Sequence, residues 1–321
     1  MRDDLDEDVY MKIPQCVTVS GPNMVCKLNK SLHGLKQASR QWYSKLSDSL
    51  LSKDYSVSKN DYSLFIKSTG SYITIIDVYV DDILLSGNDE EEMTSLKLFL
   101  DDQFKIKDLW HLHYFPGLEI LNEYGGVIIC QRKFALDLLS EFNYLDYNVV
   151  SSPLDVHLKL SIEDGGPLSD PFLYRKLIGK LNFLTNTRPN LAFSVQLLSH
   201  FMHAPTSCHI FAAYHVLKYV KGTLGQGLFI SALSDSSLHA YYDSDWASCS
   251  SSQRSVSGYL VLLGGSLLTW KSKKQNIVAL SSVGAEYRSI RRVVVELAWL
   301  TRLLDKLSVT SIVPVPLHCD S

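Results

Sequence analysis

The sequence predicts a mixed chain, part α+β and part α/β, laid out in three successive blocks. Three observations carry this. Two apolar runs rich in β-branched and aliphatic residues flank Asp81 and Asp82, the pattern of two short strands joined by a tight turn. Residues 170–222 read as helices broken at Pro189 and Pro205. Residues 237–319 read as strands followed by one long amphipathic helix and a returning strand.

Within the first block, 1–160, a helix is expected over 38–51. Asn88 and Asp89 cap a second helix through 104, with Glu90, Glu91 and Glu92 suiting its positive N-terminal end. Strand signals at 115–121 and 127–130 flank Tyr124-Gly125-Gly126, a hairpin signal, and a helix over 133–142 closes the block. Residues 163–167 form a linker by composition. In the second block, 161–236, Pro171 stands at a permitted first-turn position behind Asp170. Its histidines, His200, His203, His209 and His215, lack the cysteine or carboxylate pattern that completes a metal site. The third block, 237–321, reads strand 239–242, strand 259–263, a Gly264-Gly265 turn, strand 266–270, a short strand near 277–280, helix 283–307 and strand 315–319.

Composition bounds the rest. A chain of 321 residues has room for two or more domains with ample core. The net charge of −3 gives no global basic signature, so nucleic-acid binding would need local patches. Six cysteines without a C-x-x-C pair read as free thiols in a reducing compartment. No apolar run reaches the roughly 18 residues a spanning helix needs, and the acidic opening is no signal peptide. An intracellular protein, cytoplasmic or nuclear, without a membrane partner is expected.

Neighbouring strand residues point to opposite faces, so Asp81 and Asp82 converge only where the chain turns. Two carboxylates about 4 Å apart repel by roughly 4 kcal/mol at an effective dielectric of 20. Mg²⁺, taking one or two carboxylates plus substrate phosphates, offsets that cost. An exposed hairpin tip with both acids solvated fits the same spacing. On the long helix, Ile290, Val293, Leu297, Leu300 and Leu304 make an apolar stripe, and Glu286 falls on it by the 3.6-residue period. An acid facing a sheet is costly unless paired or bound to a cation. Asp243 and Asp320, at the ends of the first and last strands, are placed to meet it and form a divalent-metal site. A first-turn acid favoured by the helix dipole is the plain alternative for Glu286, and a strand-end turn residue that for Asp243, with Asp245 competing for the role.

Several motifs carry a resemblance. The run from Tyr79 to Asp89, YVDDILLSGND, resembles the catalytic hairpin of reverse transcriptases. The segment from Lys27 to Leu46, KLNKSLHGLKQASRQWYSKL, resembles the one preceding it in copia-type retrotransposon Pol polyproteins. The stretch from Tyr241 to Ile290, with YYDSDWAS, SGYLVLLGG and GAEYRSI, resembles their ribonuclease H part. The resemblance is ordered and spans almost the whole chain. It implies a partial reverse-transcriptase palm over 1–160, a helical connection over 161–236 and a partial ribonuclease H-like mixed sheet over 237–321. It implies RNA-directed DNA synthesis with degradation of the RNA strand, by two-metal phosphoryl transfer using Mg²⁺ or Mn²⁺. The partners implied are an RNA template, an RNA/DNA hybrid and deoxynucleotides.

Carried over by position, the resemblance makes Asp81, Asp82, Asp243, Glu286 and Asp320 catalytic metal ligands. It favours Asp243 over Asp245 as the first acid of the D-x-D-W element. Tyr79 flanks the primer end. Gly34, Lys36 and Gln37 line the nucleotide and template, although Lys36 equally fits a surface lysine. Lys271, Lys273, Lys274, Arg288 and Arg254 suit phosphate contacts. Arg291 and Arg292 fit a solvated charged face as well. Ser255 and Ser257 sit beside Arg254 in a motif expected to touch the backbone.

Departures from the family pattern point the other way. The chain opens after the strand carrying the family's first catalytic Asp and stops one residue past Asp320. Ser39 and His33 replace a usual Pro and aromatic, Asp77 puts a carboxylate in a usually apolar strand, and Pro116 is expected to remove a ladder donor. The expectation is therefore a copy inactive in polymerisation, with one metal-binding acid missing from each site. A catalytically dead nucleic-acid-binding remnant is the alternative.

Overall fold

The computed structural model describes residues 4–14, 17, 21, 24–30, 36–155, 158–232, 235–309 and 312–319. They fall into two compact units, residues 1–109 with 302–308, and residues 110–301 with 309–321.

In the first unit, β1 (Asp4–Lys12) pairs antiparallel with β2 (Val25–Lys30), and α1 (Lys36–Leu51) follows. Then come β3 (Ser56–Val57), β4 (Leu64–Thr69), β5 (Tyr72–Tyr79), β6 (Asp82–Gly87) and α2 (Glu90–Phe104). The four strands form one antiparallel meander in chain order. Period-two alternation buries Thr74, Ile76 and Val78 of β5. Against Ile76 and Val78 pack Trp42, Leu46 and Leu50, spaced four apart on α1, and Leu96 and Leu100, four apart on α2. Each leucine so buried contributes about 1.5–3 kcal/mol. The Asp89 carboxylate caps α2, accepting from the Glu92 N–H at 3.0 Å, and Glu90, Glu91 and Glu92 fill the first turn as the sequence predicts.

The second unit opens with β7 (Tyr114–Phe115), β8 (Leu118–Glu123), β9 (Gly126–Cys130) and α3 (Arg132–Glu141). Pro116 does not interrupt a ladder. It lies with Gly117 in the two-residue turn between β7 and β8, where φ of Gly117 is +78°, and Phe115 pairs with Leu118 across it. The helices α4 (Pro171–Leu184), α5 (Ala192–Ser199) and α6 (Ser207–Gly222) follow, with a 3₁₀ turn at Pro189–Leu191 before α5. The expected prolines open or precede these helices. Tyr174, Leu177, Ile178 and Leu181 of α4, Val195 and Leu198 of α5, and Ala213, Leu217 and Val220 of α6 bury one another with Leu138 and Leu139 of α3.

Next, β10 (Gly227–Ser231) adds to β9, so the antiparallel sheet runs β7-β8-β9-β10. The sequence reading missed this strand, although its Leu228-Phe229-Ile230 run was visible. A second sheet contains β11 (Leu238–Asp245), β12 (Val256–Leu263) and β13 (Ser266–Lys274) as a meander. The helix α7 (Ser282–Lys306) follows, and β14 (Leu317–His318) returns parallel to β11. Residues 277–280, expected as a strand, form none. Gln275 turns inward after β13 and leaves Ile277, Val278 and Leu280 exposed with no strand to pair. The returning strand is shorter than expected because Pro314 and Pro316 precede it. Among the described residues no helix is long and apolar enough to cross a membrane.

Candidate functional site

Asp81 and Asp82 sit at the tip of the β5–β6 hairpin. Tyr79 pairs with Asp82, which leaves Val80 and Asp81 as a two-residue turn. Val80 has φ of +52°. A positive φ at the first central position alone is the type II′ pattern, which glycine normally supplies. A β-branched residue there stores on the order of 1–3 kcal/mol of strain. Tyr79, Val80, Asp81 and Asp82 are all exposed. The turn therefore gathers both carboxylates at one end of a rigid, well-packed meander and presents them to solvent. The unexpected acid on β5, Asp77, accepts from the Ser63 hydroxyl at 2.7 Å, so its charge is accommodated by a local bond.

Two hard oxygen donors at an exposed tip match the one or two carboxylates that Mg²⁺ takes beside substrate phosphates. Among the described residues, no three His, Cys, Asp or Glu side chains gather closely enough to hold an ion. Gly34 lies outside the described residues. Lys36 and Gln37 open α1.

In the second unit, β11 and α7 meet at a buried polar joint. The Gln275 amide nitrogen lies 3.2 Å from Ser244 Oγ, 3.0 Å from Ser257 Oγ and 3.0 Å from the Ala285 carbonyl, tying β11 and β12 to the first turns of α7. The Ser289 hydroxyl donates to the Asp243 carbonyl at 2.7 Å. Ser255 and Ser257 are buried in this joint, which withdraws them from the role expected of them on the surface. Trp246 of the D-x-D-W element donates its indole N–H to the Ala279 carbonyl at 2.9 Å, fastening the end of β11 to the segment before α7.

Strand alternation then sorts the acids. Ser244 faces α7, so Asp243 and Asp245 project together on the opposite face. Both line a cleft of about 620 Å³ walled by Phe193, Tyr241, Trp270 and His318. Partial burial there, and then the Asp243 charge, push the Asp245 carboxyl above its ordinary range. Glu286 is half-buried at the flank of the helix stripe, which is formed by Ala285, Ser289, Val293, Leu297, Leu300 and Leu304. The Cys319 thiol lies 3.9 Å from Glu286 Oε2. Asp320 lies outside the described residues. The main chain of Asp243 thus touches α7 one turn beyond Glu286, while its carboxylate neighbours Asp245.

The cations predicted to meet phosphate cluster along β13, an edge strand. Arg254, Lys271, Lys273 and Lys274 line one cavity of about 690 Å³, together with residues of α4 and α5. Arg288 joins Lys271 and Lys273 around a second cavity of about 500 Å³. Lys274 is turned toward Cys249, with Nζ 3.4 Å from Sγ. Burial raises the Cys249 thiol, but hydrogen bonds from Ser251 and Ser252 and the Lys274 ammonium outweigh it and bring the pKa down to about 6. Three histidines of the helical block are engaged structurally. His209 caps α6, His200 meets Gln196 at 2.7 Å and His215 meets the Ser152 carbonyl at 3.2 Å.

Comparison with known proteins follows the same order along the chain. Residues 1–156 match the family described as reverse transcriptase (RNA-dependent DNA polymerase). The chain is 41% identical over 318 residues to the retrovirus-related Pol polyprotein from transposon RE1 of Arabidopsis thaliana, covering 99% of this chain and 22% of that protein. It is 35% identical over 334 residues to the corresponding polyprotein from transposon TNT 1-94 of Nicotiana tabacum, covering 100% of this chain and 25% of that one. An uncharacterized mitochondrial protein of Arabidopsis thaliana is 37% identical over 222 residues, 69% of this chain and 92% of that protein. The chain thus spans a quarter or less of the polyproteins it resembles. No solved structure matches it.

Proposed function

Because the chain belongs to the family of retrovirus-related Pol polyproteins from transposons, with a reverse transcriptase region over residues 1–156, we propose that it carries the catalytic hairpin of an RNA-directed DNA polymerase and the hybrid-holding face of a ribonuclease H. On this reading residues 1–160 are palm and residues 161–236, with α4–α6, are the connection. The β11–β14 sheet with α7 is then the ribonuclease H-like module. The observation that carries the reading is the Tyr79–Asp82 hairpin, with its adjacent exposed carboxylates inside the segment matched to reverse transcriptases.

Asp81 and Asp82 would hold Mg²⁺ or Mn²⁺ beside the primer end. Bound there, the ion would lower the pKa of the primer 3′-hydroxyl and offset charge on the triphosphate. The chain's own part is to position. The turn fixes where both carboxylates stand, and Tyr79 flanks the primer terminus. Gly34, Lys36 and Gln37 would line the nucleotide and template. In the second module Asp243, Glu286 and Asp320 would be the corresponding ligands. Arg254, Lys271, Lys273 and Arg288 would contact phosphates, while Lys274, expected from the sequence to join them, is turned toward Cys249.

A second reading has its own support. Among the described residues no group of three ligating side chains includes Asp81 and Asp82, while Lys271, Lys273 and Arg288 line one cavity beside β13 and α7. We therefore propose that this chain by itself binds RNA/DNA hybrid but does not extend primers. Fluorescence anisotropy with a labelled hybrid should give binding that weakens steeply with salt and survives Asp81→Asn and Glu286→Gln. Absence of binding at low salt would contradict the nucleic-acid reading. Robust primer extension on an RNA template with Mg²⁺ or Mn²⁺ would contradict the inactive one.

A further inference from the structure

The corner between edge strand β13 and helix α7 encloses a cavity of about 500 Å³ lined by Lys271, Lys273, Arg288, Arg291 and Arg292. The cations are not equivalent. Arg292 donates from Nη1 to the Lys273 carbonyl at 2.8 Å and from Nη2 toward the Lys274 carbonyl at 3.4 Å. Burial holds its guanidinium below the ordinary arginine value. It acts as a strut joining helix to strand. Lys274 points away, toward Cys249. Lys271 and Lys273 are two apart on one strand face, the face toward α7, because they pair with Tyr259 and Ser257. Arg288 and Arg291 are exposed neighbours one turn apart on the helix. Among the described residues none of these four makes an ion pair. The one acid in the groove, Glu296, is engaged by the Thr269 hydroxyl at 3.3 Å and by Tyr259.

Four unpaired like charges in one concave corner raise the local potential and repel one another, which a polyanion relieves. We propose that this corner is an anchoring groove for the phosphodiester backbone of a nucleic acid, contacted by Lys271, Lys273, Arg288 and Arg291, with Arg292 as a positioning residue. The inference rests on the nucleic-acid reading above. It adds a backbone track apart from the carboxylates, brings in Arg291 and leaves out Lys274. Contacts of this kind give affinity without sequence preference.

The test is a salt titration of hybrid binding by the full chain, read by anisotropy of a labelled RNA/DNA duplex, with duplex DNA and single-stranded DNA as parallel probes. The triple variant Lys273→Gln, Arg288→Gln, Arg291→Gln should bind about 100-fold more weakly near 0.1 M salt, and its log–log salt slope should be shallower by about 2.7. Lys274→Gln should stay within about twofold of wild type, since that side chain meets no phosphate on this account. Arg288→Lys with Arg291→Lys should keep the slope, because charge rather than fork geometry makes the contact. Arg292→Gln should lower affinity and leave the slope unchanged. A triple variant that matches wild type in affinity and slope overturns the groove while leaving the broader reading intact. A wild-type chain that binds none of the probes overturns both.

Discussion

Val80 is where sequence and backbone disagree most openly. Its φ of +52° lies in a region that β-branched residues avoid, and nothing in the YVDD string announces it. The tight turn itself was legible, because two apolar runs with adjacent acids between them leave little other geometry. The strain was not, since it arises from the two-residue length of the turn. Val80→Asn should relieve it, stabilising the chain by about 1 kcal/mol, and a thermal melt would register the gain. An unchanged or lower midpoint would mean the turn is not strained. His209 makes a second residue-scale case. The Thr206 N–H donates to its Nδ1 at 2.9 Å, so Nε2 carries the proton and donates to the Ser161 carbonyl at 3.0 Å. Burial lowers the pKa, with the Ser161 bond and Asp164 partly opposing. A histidine whose folded pKa lies below its unfolded one, about 6.5, stabilises fully above that value and loses its contribution as pH falls beneath it. Melts at pH 7.5 and 5.5 should show the chain less stable at the lower pH, and His209→Gln should flatten that dependence. Spacing showed only a histidine in a helical block, because the partners that define its role come from a distant linker.

Gln275 decides the shape of the element that follows it. The apolar residues Ile277, Val278 and Leu280 read as a strand, yet burying the Gln275 amide against Ser244, Ser257 and Ala285 ends β13 and sends the chain into α7. Long-range bonds of this kind are invisible to local pattern. Gln275→Leu should cost about 2–3 kcal/mol through lost bonds and stranded partners, seen as a lower denaturant midpoint. A loss below a few tenths would show that β11, β12 and α7 are held without it. The capping carboxylate of α2 was legible, as an Asp before three Glu predicts. Asp89→Ala should cost about 1 kcal/mol, and a similar melt checks it. Helix periodicity also located α7 closely, but it put Glu286 on the buried stripe, whereas Ala285 and Ser289 occupy that line and Glu286 stands at its flank. One residue of helix is 100° of rotation, enough to move an acid from core to margin.

Across the whole molecule, the order of motifs along the chain was the most legible feature, and it agrees with relatives aligned over 99% of the chain. The pairing of Gly227–Ser231 with β9 was not legible, because it joins segments that the sequence reading assigned to separate blocks. In the third block, alternation sets the Asp243 carboxylate beside Asp245, and both line a cleft that Cys319, the neighbour of Glu286, also lines. The hairpin is central, because its two acids are proposed to hold a divalent ion at a primer end. The most direct measurement is Mn²⁺ binding to the full chain with an RNA template, a DNA primer and a deoxynucleotide, followed by electron paramagnetic resonance. Wild type and Asp77→Asn should bind Mn²⁺ alike, and Asp81→Asn with Asp82→Asn should lose an ion. Equal Mn²⁺ occupancy in all three would contradict the account.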